Sequence, residues 1–311
     1  MKIQELSRVM IPGSDRNEDG LFFHLERDRF VTISILDGRR AWQENGNPAA
    51  LMEAVPGAKT TGEACTKFCL QRLEEVGLWT EGVGQARTAM LHMNQRWGRL
   101  LTECGYDLAH PEGLPGAAGT VVRIDLQTGI LDFAHALDTK LMIINDGEIY
   151  IPTVDYMTPL DKKVLYTAGA NARYLGCSVR DAIYFNNLGK SYDDSPKLQD
   201  PIQMDIKHRK LENLSDGLAV INGMPELEGM MQTGRMMVTP GTVISLFTDG
   251  FVPPNSPVLS KLGQGMVEMN FNLLAIVEAN RRKEDSDLQF NRYPRFAIHR
   301  DAAGIAMEII N

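Results

Sequence analysis

Two short apolar runs near the N-terminus, Leu21-Phe22-Phe23-His24-Leu25 and Phe30-Val31-Thr32-Ile33-Ser34-Ile35-Leu36, are rich in the β-branched and aromatic residues of strands. The Arg27-Asp28-Arg29 link suits a hairpin, and the second run leads straight into Asp37-Gly38, a turn pair. A polar loop holding Gly46, Pro48, Pro56 and Gly57 follows. The period then changes to 3.6. One helix opens at Thr60 or Thr61, with Glu63 in its first turn and Ala64, Phe68, Leu70 and Leu73 along it. A second, over roughly 83–101, carries Ala86, Met90, Met93, Trp97 and Leu100, a core-facing stripe.

From Gly116 short strands return: Thr120-Val121-Val122-Arg123-Ile124, then 130–136 and 141–144, with turns at Gln127-Thr128-Gly129 and Asn145-Asp146-Gly147. The stretch 152–216 is polar and weakly patterned, which predicts a mixed insertion of helices and loops within a single domain spanning 1–311. Strands are expected again at 218–221 and 243–247, a helix within 267–280, a charged loop at Arg281-Arg282-Lys283-Glu284-Asp285, and a last strand at 303–309. Hairpins outnumber crossovers, so the expected fold is α+β: two packed antiparallel β-sheets flanked by helix pairs, an α-β-β-α sandwich.

Composition narrows the partners. The 311 residues carry a formal charge of −8, which argues against nucleic acid or an anionic membrane as a standing partner. No apolar run approaches a membrane span, and Met1-Lys2-Ile3-Gln4-Glu5-Leu6 lacks a signal core, so a cytoplasmic protein is expected. Four cysteines make no disulfide framework. Cys65 and Cys69, four apart on a helix, read as small apolar residues on a buried face.

Acidic residues repeatedly stand at the ends of apolar strands. Glu18 and Asp19 precede the first strand, Asp37 ends the second, Asp138 lies between two others, Asp249 ends 243–248, and Asp301 precedes the last. Carboxylates gathered this way repel one another unless hard divalent cations such as Mg²⁺ or Mn²⁺ share them. Two such ions about 3.5–4 Å apart can activate water and hold phosphate oxygens for in-line attack. Each Asp-Gly taken alone is only a turn signal. The set as a whole says more.

In order, and across nearly the whole chain, that set resembles the PPM (type-2C-like) family of metal-dependent serine/threonine phosphatases, as a divergent bacterial-type member. Asn17-Glu18-Asp19 resembles the family's first acidic motif and Ile35-Leu36-Asp37-Gly38 its metal-bridging Asp-Gly. Gly62-Glu63-Ala64 is similar to the start of its first long helix, and Gly119-Thr120-Val121-Val122 to its Gly-Ser/Thr strand. Leu137-Asp138-Thr139-Lys140 is similar to its Gly-Asp-Ser-Arg segment. Gly241 through Gly250 resembles its Ser-Asp-Gly strand, and Arg300-Asp301-Ala302-Ala303-Gly304 its closing motif.

The resemblance implies two or three Mn²⁺ or Mg²⁺ ions. Asp37 would bridge the two ions and the Gly38 carbonyl would bind one, Asp249 and Asp301 would complete the first ion, and Glu18 and Asp19 would hold the second, largely through water. Asp138 with Asp249 matches a third, weaker site. It also implies hydrolysis of phosphoserine or phosphothreonine on a protein by metal-activated water. The family's phosphate-gripping arginine is replaced by Ser14 and Asp15, beside Arg16, and Arg39-Arg40-Ala41-Trp42 follow Asp37-Gly38 in place of His or Met and two glycines. Leu137 replaces a usual glycine. One of Arg16, Arg39 or Arg40 is therefore expected to grip phosphate through a guanidinium fork. Two other readings stay open: an inactive relative that binds partners, and a phosphatase for small phosphate monoesters shaped by the insertion.

Overall fold

The structure, a computed structural model, describes residues 1–13, 17–41, 43–75, 85–184, 198–215, 217–252, 259–293, 295, 297 and 299–311. Strand β1 is Lys2–Ile11, β2 Asp19–Glu26, β3 Phe30–Arg39, β4 Gly116–Asp125 and β5 Ile130–Ala136. Then come β6 Lys140–Asn145, β7 Glu148–Tyr150, β8 Gln232–Met237, β9 Val243–Phe247 and β10 Ala302–Ile310. They form two five-stranded sheets, ordered β1-β10-β9-β6-β7 and β2-β3-β4-β5-β8, with every pairing antiparallel.

Strand alternation builds the layers. On β3, Val31, Ile33 and Ile35 enter the core between the sheets, where they join Val122 and Ile124 of β4, Leu141 and Ile143 of β6, and Ile305 and Met307 of β10. Residues on the opposite faces meet helices. Leu36 and Val121 pack with Ala64, Phe68, Met90, Met93 and Trp97 of α2 (Thr61–Glu75) and α3 (Gln85–Glu103), on α1 (Pro48–Ala54). Met142, Phe247 and Ala306 pack under Leu262, Met266, Leu273 and Ile276 of α8 (Leu259–Glu268) and α9 (Leu273–Asp285). With both faces covered, the strands read as continuous apolar runs rather than alternating ones. This is the α-β-β-α sandwich expected from the sequence. The start of the second helix, near Val83, lies outside the described residues.

Helices α4 (Met157–Leu175), α5 (Val179–Ile183) and α6 (Pro201–Arg209) lie within 152–216; α4 and α5 share a small core of Ala168, Ala172, Val179 and Ile183, and α6 packs on α4; the four-residue α7 is Leu227–Met230. Buried Lys140 ties α4 to the sandwich, donating to the Asp138 carbonyl and pairing with Asp155 Oδ2 at 2.9 Å. Asp155 in turn accepts from the Met157 and Thr158 amides, in the first turn of α4. No helix among the described residues is long and apolar enough to cross a membrane.

Several local expectations fail for identifiable reasons. Asp37-Gly38 is not a turn: β3 continues to Arg39 because both residues pair with Ala118 and Ala117 of β4. The segment 218–221 contributes only an isolated bridge, Ile221 to Ala117, since it lies beyond the partner it would extend. The loop before α2 contains α1, opened by Asn47, whose side chain accepts from the Ala50 amide, with Pro48 at the first turn. Charged 281–285 is the last turn of α9, and the helix expected within 267–280 is divided by left-handed Asn270 and Phe271. The hairpin at Arg27-Asp28-Arg29 holds: Arg27 and Asp28 have positive φ, and the Arg29 amide donates to the Glu26 carbonyl at 3.0 Å to close the turn.

His135 makes one stability expectation possible. Its Nε2 lies 3.1 Å from the Leu137 carbonyl and so donates, leaving Nδ1 to accept from Thr120 Oγ1 at 2.9 Å. Burial, with Lys140 nearby, lowers its pKa from 6.5 to about 4. The unfolded chain therefore takes up the proton first, and stability is lost as pH falls from about 6.5 toward 4. Near pH 5 the loss should be about 2 kcal/mol. Asp19 and Asp37, pushed upward, act in the opposite sense. Melting wild type and His135→Gln at pH 7 and pH 5 isolates the histidine: the variant should lose less on acidification, and an equal loss contradicts the assignment.

Candidate metal centre

Asp19 opens β2 directly opposite Asp37 on β3, so two carboxylates stand side by side at one end of the sandwich. Such a like-charged cross-strand pair is unfavourable on its own. From the other sheet, Asp249 follows β9 and Asp301 precedes β10 at the same end, and Asp138 lies just before β6. These residues, with Glu18, Gly38, Arg39 and Arg40, line one cavity of about 690 Å³. Every site residue expected from the sequence is there except Arg16, which with Ser14, Asp15 and Trp42 lies outside the described residues.

Close backbone approach makes the cluster possible. A Cβ on Gly38 would stand 2.4 Å from the Glu18 carbonyl and 2.6 Å from that of Gly62, and the Gly38 amide donates to the Glu18 carbonyl at 2.9 Å. Glycine is required here for contact, not for a turn. A Cβ on Gly250 would stand 2.1 Å from the Asp301 carbonyl. Gly250→Ala should thus force apart the segments carrying Asp249 and Asp301. The expected outcome is about 1–3 kcal/mol of lost stability by thermal melting and weakened Mn²⁺ binding by titration; wild-type Mn²⁺ affinity would contradict it.

Protein donors already hold several carboxylates. Asp301 accepts from the Gly13 and Glu18 amides through its two oxygens, each at 2.6 Å. Asp19 accepts from Thr248 Oγ1 at 2.7 Å. Glu18 accepts from Thr60 Oγ1, at the start of α2, and pairs with Arg40 Nε at 2.9 Å. Asp249 pairs with Arg300. Burial above all, and then the neighbouring carboxylates, hold Asp19 and Asp37 well above the usual carboxylate range. Asp138 is pushed to about 6 by burial against the pull of Lys140.

Arg39 lines the cavity, yet its guanidinium is committed to fully buried Glu212 in a two-pronged pair, with Nη2 to Oε2 at 2.5 Å. Leu137, standing where a glycine resembling the family's is absent, takes the left-handed backbone glycine suits, with φ +72°.

The sequence reading missed four charged residues of this cavity. Asp161 on α4 and Asp205 and Arg209 on α6 come from the insertion, with no strand-end address to reveal them. Burial pushes Asp161 up to about 8. Arg300 was legible only as the neighbour of Asp301. Among the described lining residues, eight carboxylates face four guanidiniums.

The donor set is hard oxygen with excess negative charge, which fits Mg²⁺ or Mn²⁺ in chemistry. Among the described residues, no group of three His, Cys, Asp or Glu side chains stands arranged to hold a metal ion. Arg300 engages an oxygen of Asp249, and Arg40 and Thr60 engage an oxygen of Glu18.

No family model matches the chain, and no curated protein matches it in sequence. Solved structures do. The chain is similar over 99% of both lengths to the catalytic domain of serine threonine protein phosphatase PstP in complex with two manganese ions, with 12% identity and a TM-score of 0.53. The Mycobacterium tuberculosis serine/threonine phosphatase PstP/Ppp aligns over all of both chains at 11% identity and a TM-score of 0.54. The S. agalactiae serine/threonine phosphatase aligns over 99% of this chain and 100% of its own, at 14% identity and a TM-score of 0.51. The chain has the PPM phosphatase fold.

Proposed function

We propose that the chain is a cytoplasmic, metal-dependent phosphatase that hydrolyses phosphoserine or phosphothreonine on proteins. The supporting observation is the convergence of Glu18, Asp19, Asp37, Asp138, Asp249 and Asp301, from separate parts of the chain, on one cavity. These carboxylates, with the Gly38 carbonyl, would hold two Mn²⁺ or Mg²⁺ ions, and Asp138 with Asp249 a third. Such ions, when bound, supply an acidified water and positive charge for the phosphate oxygens. Asp37, set opposite Asp19, is the residue we assign to bridge the pair.

The chain's own groups orient the ligands. The Gly13 and Glu18 amides fix Asp301, and Thr248 fixes Asp19. Ile183, Pro201 and Ile202 from the insertion give the cavity an apolar wall. That wall would exclude water and meet the residues flanking a phosphorylated side chain. The insertion is thus part of one domain with the sandwich in this reading, and the serine/threonine phosphatases of like fold favour a protein substrate.

The test is phosphate release, with Mn²⁺ and with chelator, from phosphoserine and phosphothreonine peptides, p-nitrophenyl phosphate and a panel of phosphorylated metabolites. Mn²⁺-dependent turnover favouring peptides is expected. Preference for a metabolite would support the small-monoesterase reading, and no turnover on any substrate would support an inactive binding protein.

A further inference from the structure

The four arginines among the cavity's described residues are not equivalent. Arg39 is locked to Glu212, and Arg209 reaches Asp205 Oδ2 at 3.0 Å and the Arg40 carbonyl at 2.6 Å. The other two are paired with carboxylates we assign to the metal ions: Arg40 with Glu18, and Arg300 with Asp249. Arg40 stands at the rim, its side chain 53% exposed, whereas Arg300 is 28% exposed and sits deeper among the acids. Asp249 first, and then Asp161, Asp138 and Asp37, favour its charged form.

From this arrangement, and resting on the metal-dependent reading above, we infer that Arg300 is the phosphate-binding cation of the site, held on Asp249 until a divalent ion takes that carboxylate. A guanidinium and a divalent cation cannot share one carboxylate in a confined space without strong repulsion. Arg300 therefore competes with metal for Asp249. Its backbone stays beside the centre, because the next residue, Asp301, is held by two amides and leads into β10. Metal on Asp249, Asp138 and Asp37 would also neutralise carboxylates that attract it, leaving Asp161. The substrate's phosphate then competes with Asp161 for it, and its outward oxygens match a planar fork of N–H donors better than a single carboxylate does. Metal and phosphate then bind in order: phosphate finds its arginine only after metal has freed it.

Calorimetric titration of Mn²⁺, and then of inorganic phosphate at saturating Mn²⁺, tests this on wild type and Arg300→Gln. The glutamine variant should bind Mn²⁺ about tenfold or more tightly than wild type, having lost the competitor, yet bind phosphate about tenfold or more weakly. Arg300→Lys, which keeps the charge without the fork, should stay near wild type for Mn²⁺ and still lose phosphate affinity; it carries the test if the glutamine variant does not fold by circular dichroism. Unchanged or weaker Mn²⁺ binding by Arg300→Gln overturns the competition, and unchanged phosphate affinity overturns the phosphate assignment. Mn²⁺ binding by no form of the protein overturns the metal-dependent reading and this one with it, whereas equal binding by wild type and Arg300→Gln removes only the role of Arg300.

Discussion

Replacing Asp37 by Asn is expected to reduce Mn²⁺-dependent phosphatase activity more than ~100-fold, beyond what loss of a supporting partner around a metal costs. The change keeps the shape of the side chain and its place on β3 opposite Asp19. It removes the negative charge that a bridging ligand must share between two ions. The fold should not suffer. Burial and the neighbouring carboxylates of Asp19, Asp249 and Asp138 disfavour a charge at this position, so a neutral amide relieves repulsion in the metal-free protein. Melting temperature without metal should stay level or rise, while the stabilisation conferred by added Mn²⁺ disappears. Turnover equal to wild type at saturating Mn²⁺ would remove Asp37 from the centre.

Arg39→Ala should have the largest effect on stability. It removes both hydrogen bonds from the Glu212 carboxylate, which has no exposed surface, leaving only the more distant charges of Arg209 and Asp205 around it. Breaking a buried ion pair by removing one partner costs about 3–5 kcal/mol, chiefly for the uncompensated charge left behind. At about 2–4 °C per kcal/mol, the melting temperature should fall by roughly 6–20 °C. Replacing both partners with apolar residues, Arg39→Met with Glu212→Leu, should recover most of the loss, because no lone charge remains. A single mutant as stable as wild type would show that the pair does not hold the insertion to the end of β3.

The sandwich was legible because its strands are buried on both faces and so form apolar runs such as Phe30 to Leu36, and because α2 and α3 keep a clear 3.6-residue period. The edges were not. Strand β8, Gln-Thr-Gly-Arg-Met-Met, alternates between half-buried and exposed and has no apolar face to announce it. Strand β1 likewise mixes half-buried and exposed positions, so only pairing with β10 makes it a strand. In the cavity, the strand-end carboxylates could be read in advance because their addresses recur. Asp161, Asp205 and Arg209 could not, since the insertion folds back over the sandwich through contacts between residues far apart in the chain. The role of Arg39 was obscured for the same reason: its partner, Glu212, lies 173 residues away. Asp37-Gly38 shows the limit of turn chemistry as a signal, for a glycine needed for close packing looks the same in sequence as one needed for a turn.

The central claim is that these carboxylates form one metal centre, and anomalous diffraction from crystals grown with Mn²⁺ tests it most directly. Two manganese peaks should lie in the cavity, with Asp37 between them, Asp249 and Asp301 beside one, and Glu18 and Asp19 nearer the other. A well-ordered cavity without manganese, or manganese bound only elsewhere on the protein, would contradict the account.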